Sequence, residues 1–169
     1  MLPSGKTKTD QEIIRVAGRL KEITTVRDEA GNILHKIIAP LMLEFHPRDI
    51  FQVIVGASIL AVPVGFTEET WQLGGSLPLV NILGLLFLSV LFISLFVYHN
   101  YYRRRFAVHK KEFFKRVIST YFFSFLIVAL ILTLIQRAPW NIDWALALKR
   151  IIVVSFPASM SAAVADTIK

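Results

Sequence analysis

The sequence predicts an all-α integral membrane protein: four transmembrane helices behind a small N-terminal cytoplasmic helix and β-hairpin. Three observations predict it. Of the 169 residues, 54% are hydrophobic and 18% charged, where a soluble domain typically has ~45–50% and ~25%. The apolar excess falls in long runs, and a helix needs ~20 apolar residues to cross a hydrocarbon core of ~30 Å. The net charge of +7 comes from basic residues gathered beside those runs, as cytoplasmic loops require. This composition excludes an ordinary soluble enzyme and a disordered tail. It also argues against a nucleic-acid binder, because the basic residues track the spans.

Residues 1–49 form a cytoplasmic α-β-β segment. The opening MLPSGKTKTD is polar, so no secretory signal is expected and the first apolar span serves as the insertion signal. Thr9-Asp10-Gln11-Glu12 fits a capping box, with Thr9 at N-cap and Glu12 at N3. It predicts an amphipathic helix from Asp10 to Leu20. Lys21–Arg27 reads as a strand, residues 28–32 (DEAGN) as a turn and Ile33–Ile38 as the return strand. The approach to the membrane, LMLEFHPRD from Leu41 to Asp49, reads as an interfacial anchor or as a linker that gates the first span.

Residues 50–169 form the transmembrane domain, with spans at about 50–67, 77–98, 117–136 and 144–166. The fourth reaches full length only if its helix begins near Trp144 and Lys149 and Arg150 snorkel to the surface. The segment before the first span carries eight Lys/Arg, and YYRRRFAVHKKEFFKR carries seven against one acid. The loop TEETWQLGGS has none and RAPWNID has one. Both termini are therefore expected in the cytoplasm of a multi-pass cell-membrane protein. Trp71, Trp140 and Trp144 then mark the outer interface, and Tyr98, Tyr101 and Tyr102 the inner one. The basic loop 103–116 is the expected contact for anionic lipids.

Spans two and three are Leu, Phe and Ile on every side and should face lipid, with Asn81 and Gly84 marking the contact side of span two. Spans one and four differ. Ala57, Ala61 and Gly65 recur every four residues in span one, beside Ser58, and Pro63 removes a backbone hydrogen bond and can bend the helix. Continuing the face leads to Glu68 and Glu69, two carboxylates with no basic residue in their loop. In span four Ser155, Ser159, Ala162 and Asp166 recur at steps of four, three and four. These faces line a pathway, with Asp166 at the inner mouth, or they are packing seams, with Asp166 paired to Lys169. AlaSerIleLeuAla at 57–61 and AlaSerMetSerAla at 158–162 hint faintly at an inverted repeat.

The stretch RDIFQVIVGASILAVPVGFTEETWQL, Arg48 to Leu73, resembles an uncharacterised prokaryotic family of integral membrane proteins. The resemblance rests on Arg48-Asp49, Gly56-Ala57, Pro63 and Thr67-Glu68-Glu69 followed by Trp71. It implies a multi-span membrane protein and brings no activity with it.

Four readings of function follow. The leading one is an oligomeric cation channel. A ring of Glu68 and Glu69 would bind ions at the outer mouth, and Ca²⁺ is favoured because a doubled ring supplies the ~6–8 oxygens it takes. Ser58, Ala61, Gly65, Ser155, Ser159, Ala162 and Asp166 would line the pore, and Pro63 would shape its gate. The second is a proton-coupled secondary transporter using Glu68, Glu69 or Asp166. The third is a non-catalytic scaffold or sensor. An enzyme is the least expected: His35, His46, His99 and His109 form no i, i+4 metal pair, no catalytic motif occurs, and cysteine is absent. No cofactor is expected beyond a permeant or bound Ca²⁺.

Overall fold

The structure, a computed structural model, describes residues 8–16, 19–28, 32–40, 45–103, 106 and 109–168. It divides into two units, Met1–Glu44 and Phe45–Lys169.

The first unit is a three-stranded antiparallel meander of β1 (Lys8–Val16), β2 (Arg19–Arg27) and β3 (Ile33–Pro40), in that spatial order. The hairpin is present as β2 and β3. The expected helix from Asp10 is not: that stretch is β1, in register from Lys8↔Arg27 to Val16↔Arg19. The β-branched content of Thr9, Ile13, Ile14 and Val16 suits a pleated surface. Pairing along the whole of β2 outweighs a capping box, whose hydrogen bonds are worth about 1 kcal/mol. Arg27 and Asp10 add an exposed ion pair at 3.5 Å. Asp28 and Asn32 bridge the β2–β3 connection, the Asn32 N–H donating to Asp28 Oδ1 at 2.9 Å. Residues 41–44 of the expected gate linker lie outside the described residues.

The second unit holds four helices long and apolar enough to cross a membrane. They are α1 (Pro47–Gly65), α3 (Leu79–Val97), α4 (Lys110–Leu134) and α5 (Trp144–Thr167). A short helix, α2 (Glu68–Ser76), follows α1, and a π-helical turn, Tyr98–Tyr102, extends α3. Helix α1 starts at Pro47, where a missing N–H costs nothing. It ends at Gly65, two residues after Pro63. Thr67 is extended and opens α2, its hydroxyl 2.6 Å from that of Thr70. The face of Ala57, Ala61 and Gly65 therefore does not run on to Glu68 in one helix. Helix α5 begins where expected, with Asp143 accepting the Leu146 N–H at 2.9 Å. Helix α4 begins at Lys110, seven residues before its expected start, which carries Arg116 inside the helix.

Helix α5 touches every other helix of the unit. The apolar core lies between α1, α4 and α5 and includes Val53, Ala57, Ala61, Val128, Leu132, Ile151, Val154, Ala158 and Ala162. Helices α1 and α5 cross at Gly56, which lies against Ala165 and has room for no Cβ beside Ala162 Cα. Within the spans, α5 is the most buried helix (44%) and α3 the least (22%), while α4 (28%), expected to face lipid, shares the core with α1 (33%) and α5 because the four-residue spacing of Thr120, Ser124, Val128 and Leu132 gives it one inward side. The contact side of α3 is different from the expected one. Ile82, Ser89, Ile93 and Val97 face inward, whereas Asn81 and Gly84 are exposed. One asparagine and one glycine in an apolar run carry no face information when neither touches a neighbouring helix.

Candidate functional site

Three charged residues that the sequence scatters meet at the end of the bundle where α1 begins and α5 ends. Arg116 of α4 donates from Nη1 to Asp166 Oδ2 at 2.8 Å and from Nη2 to Asp49 Oδ2 at 3.2 Å. The side chains are 0% (Arg116), 1% (Asp166) and 4% (Asp49) exposed. Each carboxylate is positioned by its helix. Asp49 sits in the first turn of α1, where the helix dipole favours an anion, and accepts the His46 N–H at 3.0 Å. Asp166 sits in the last turn of α5, where the dipole disfavours an anion, so Arg116 offsets that cost as well as desolvation. The π-helical turn brings Tyr101 and Tyr102 inward together. The Tyr101 hydroxyl donates to the Asp166 carbonyl oxygen at 2.8 Å. The Arg116 guanidinium lies 4.0 Å from the Tyr101 ring centroid and 5.7 Å from that of Phe45.

One guanidinium thus joins the ends of α1 and α5 through α4, with α3 adding Tyr101. Burying three charges is costly unless they are paired. The pairing ties the first turn of α1 and the last turn of α5 to α4.

The residues singled out in the sequence divide into groups. Asp166 is in the cluster and pairs with Arg116; Lys169 lies outside the described residues. Ala61 and Ala162 are buried in the α1–α4–α5 core, and Gly65 is buried against Leu132 and Val154. Ser155 and Ser159 are fully buried. Ser58 donates to the carbonyl of Ile54 at 2.8 Å. Pro63 is exposed in the last turn of α1, and Glu68 and Glu69 are exposed on the first turn of α2. Gln72 Nε2 reaches Glu68 Oε1 at 3.4 Å. The structure therefore brings Ser155, Ser159, Ala162 and Asp166 onto one buried side of α5 and leaves the glutamates at the opposite end of the bundle. Among the described residues no three His, Asp or Glu side chains gather as a metal site would.

That opposite end is built on Trp71. Its Nε1–H donates to the Gly65 carbonyl at 2.7 Å, and Arg137 stacks 3.9 Å from its ring centroid. Lys149 and Arg150 reach the loops at this end of the bundle: Lys149 Nζ donates to the Leu77 carbonyl at 3.2 Å, and Arg150 donates to the carbonyls of Trp71 at 3.3 Å and Arg137 at 2.9 Å.

Asp49 and Arg116 were missed as a pair because each has an ordinary interfacial explanation. Asp49 precedes an apolar run, and Arg116 closes a basic stretch. The available signal is spacing: Arg116, Thr120, Ser124, Val128 and Leu132 recur every four residues, and all five are buried.

Four apolar spanning helices with a charged cluster closed inside them define an integral membrane protein. Residues 22–168 match the family described as "Putative integral membrane protein (DUF2391)", and the chain belongs to it. No curated protein and no solved structure matches the chain.

Proposed function

We propose that the protein is a proton-coupled cation transporter working as a homo-oligomer, with Asp49, Arg116 and Asp166 as its charge-exchange site. The observation that carries this reading is the burial of the cluster where α1, α4 and α5 meet. Ionisable side chains inside a bundle are expensive, and where they occur they mark ion and proton routes. A proton on one carboxylate removes its attraction to Arg116, and the helix ends can then part. Deprotonation draws them together again. With both termini in the cytoplasm, the cluster faces the cytoplasm. The exposed Glu68 and Glu69 then collect cations at the outer surface. Several copies around an axis complete the pathway, since the small-residue faces of one copy are filled by helix packing. The basic stretch from Arg103 to Lys115, which runs into the start of α4 and leaves Arg116 to the cluster, meets anionic lipid headgroups. The chain has no catalytic role.

A second reading, a passive cation channel favouring Ca²⁺, draws on Glu68 and Glu69 standing adjacent and exposed. In a homo-oligomer they form a ring of oxygens of the kind that Ca²⁺ takes.

Flux in proteoliposomes separates the readings. Ca²⁺, Na⁺, K⁺ and H⁺ are followed for wild type, Asp166→Asn and Glu68→Gln/Glu69→Gln. The transporter predicts saturable cation flux with opposed proton movement, lost in Asp166→Asn. Flux that does not saturate, ignores the proton gradient and collapses only in the double variant transfers the conclusion to the channel. No flux from assembled protein at several voltages and pH values leaves a scaffold or sensor.

A further inference from the structure

Below the charged cluster, the buried sides of α4 and α5 that carry Arg116 and Asp166 also carry a run of hydroxyls. Thr120 and Ser124 follow Arg116 at four-residue steps on α4. Ser159 and Ser155 follow Asp166 at steps of seven and four on α5. All four are 0–1% exposed. The helices run antiparallel from the Arg116–Asp166 contact. At ~1.5 Å per residue, Thr120 and Ser124 lie about 6 and 12 Å below it, and Ser159 and Ser155 about 10 and 16 Å. The run therefore reaches about half of a ~30 Å hydrocarbon core. Beyond it the seam turns apolar at Val128, Leu132, Ile151 and Val154, each 0–1% exposed.

Two of these hydroxyls turn back on their own helices: Ser124 donates to the Thr120 carbonyl at 2.7 Å and Ser159 to the Phe156 carbonyl at 3.1 Å. Thr120 Oγ1 and Ser155 Oγ do neither, and no described residue hydrogen-bonds to them. A dry, unpaired hydroxyl costs ~1–3 kcal/mol, and the bilayer offers it no water. Water entering from the cluster would satisfy both.

We infer that this seam is a hydrated half-pathway, gated at its entrance by the Asp49–Arg116–Asp166 cluster, whose ion pairs close it in this structure, and ended at mid-membrane by the Val128–Leu132–Ile151–Val154 plug. The inference rests on the transporter reading only for what travels along it: protons, or cations with part of their water shell. The hydration itself follows from the two unpartnered hydroxyls at different depths of one polar seam.

The test uses the absence of native cysteine. Single variants Thr120→Cys, Ser124→Cys, Ser159→Cys and Ser155→Cys, in membranes, are reacted with the small water-soluble reagent 2-aminoethyl methanethiosulfonate. Leu132→Cys and Val154→Cys report the plug, and Phe87→Cys the lipid face. The hydroxyl positions are expected to react at least 10-fold faster than the three controls. Equal rates overturn the inference. Ser155→Ala is the second measurement. If the hydroxyl is hydrated, its removal leaves the melting temperature unchanged or lower; if it is dry, its removal raises it, which also overturns the inference. Fast labelling without flux sinks the transporter and keeps the half-pathway, and flux without labelling does the reverse.

Discussion

Arg116 and Asp166 are 50 residues apart in the chain and meet at 2.8 Å with almost no exposed surface. The contact ties the early part of α4 to the last turn of α5 and sets the relative register of those antiparallel helices. Because Arg116 also binds Asp49, the three residues behave as one unit, and single substitutions should not add.

Arg116→Met tests that. Removing one member of a buried ion pair typically costs ~3–5 kcal/mol, since the remaining charge is left uncompensated. Arg116→Met alone should therefore lower thermal stability in detergent sharply. The triple variant Asp49→Asn/Arg116→Met/Asp166→Asn should recover most of the loss. A triple variant as unstable as the single one would show that packing of the guanidinium against Tyr101 and Phe45, not charge, holds the site.

The spans, the β2–β3 hairpin and the start of α5 at Trp144 follow from hydropathy, alternation and capping, all local signals. Asp166 was recognisable as a polar residue on a small-residue face. Its partner was not, because Arg116 stands at the edge of a basic loop and its burial depends on α4 beginning at Lys110. Helix starts are set by tertiary contact as much as by local sequence. The helix expected at Asp10 failed for a related reason: pairing with β2 is non-local and overrides a local cap.

Two glycines should respond oppositely. A Cβ at Gly56 meets Ala165 and sits 2.9 Å from Ala162 Cα, whereas a Cβ at Gly84 meets nothing within 4 Å. Gly56→Ala should destabilise the α1–α5 crossing by ~1–3 kcal/mol, as overpacking does. Gly84→Ala should stabilise α3 by ~0.5–1 kcal/mol by restricting the unfolded backbone. Thermal melts of the two variants in one detergent decide it; the same sign for both would contradict this seam.

Gln136 ends α4 with φ 58°, the left-handed region. Around it the Arg137 N–H donates to the Leu132 carbonyl at 2.8 Å and the Gln136 N–H to that of Thr133 at 3.0 Å, the pattern in which glycine is usual. A non-glycine residue there costs ~1–2 kcal/mol. Gln136→Gly should raise the melting temperature and Gln136→Val lower it. If both lower it, the glutamine side chain itself contributes to the turn.

The Trp71 end should open on its own. Helix α2 is nine residues long, too short to persist without tertiary contact. It is held by the Trp71–Gly65 hydrogen bond, the Arg137 stack and the Arg150 bond to the Trp71 carbonyl. Gly74 also lies 3.0 Å, by its missing Cβ, from Arg150 Cα. Trp71→Phe keeps the ring for Arg137 but deletes the donor to Gly65, at a cost of about 1 kcal/mol. Arg150→Lys keeps the charge but lacks the planar fork that spans two carbonyls. Hydrogen exchange of the amides in residues 68–76 should speed about fivefold in Trp71→Phe, since ~1 kcal/mol is that factor in an opening equilibrium. Exchange near Arg116 should stay as in wild type, because the two ends share no residue. Faster exchange at both ends would instead mean that α5 transmits strain along its length and that the bundle opens as one piece.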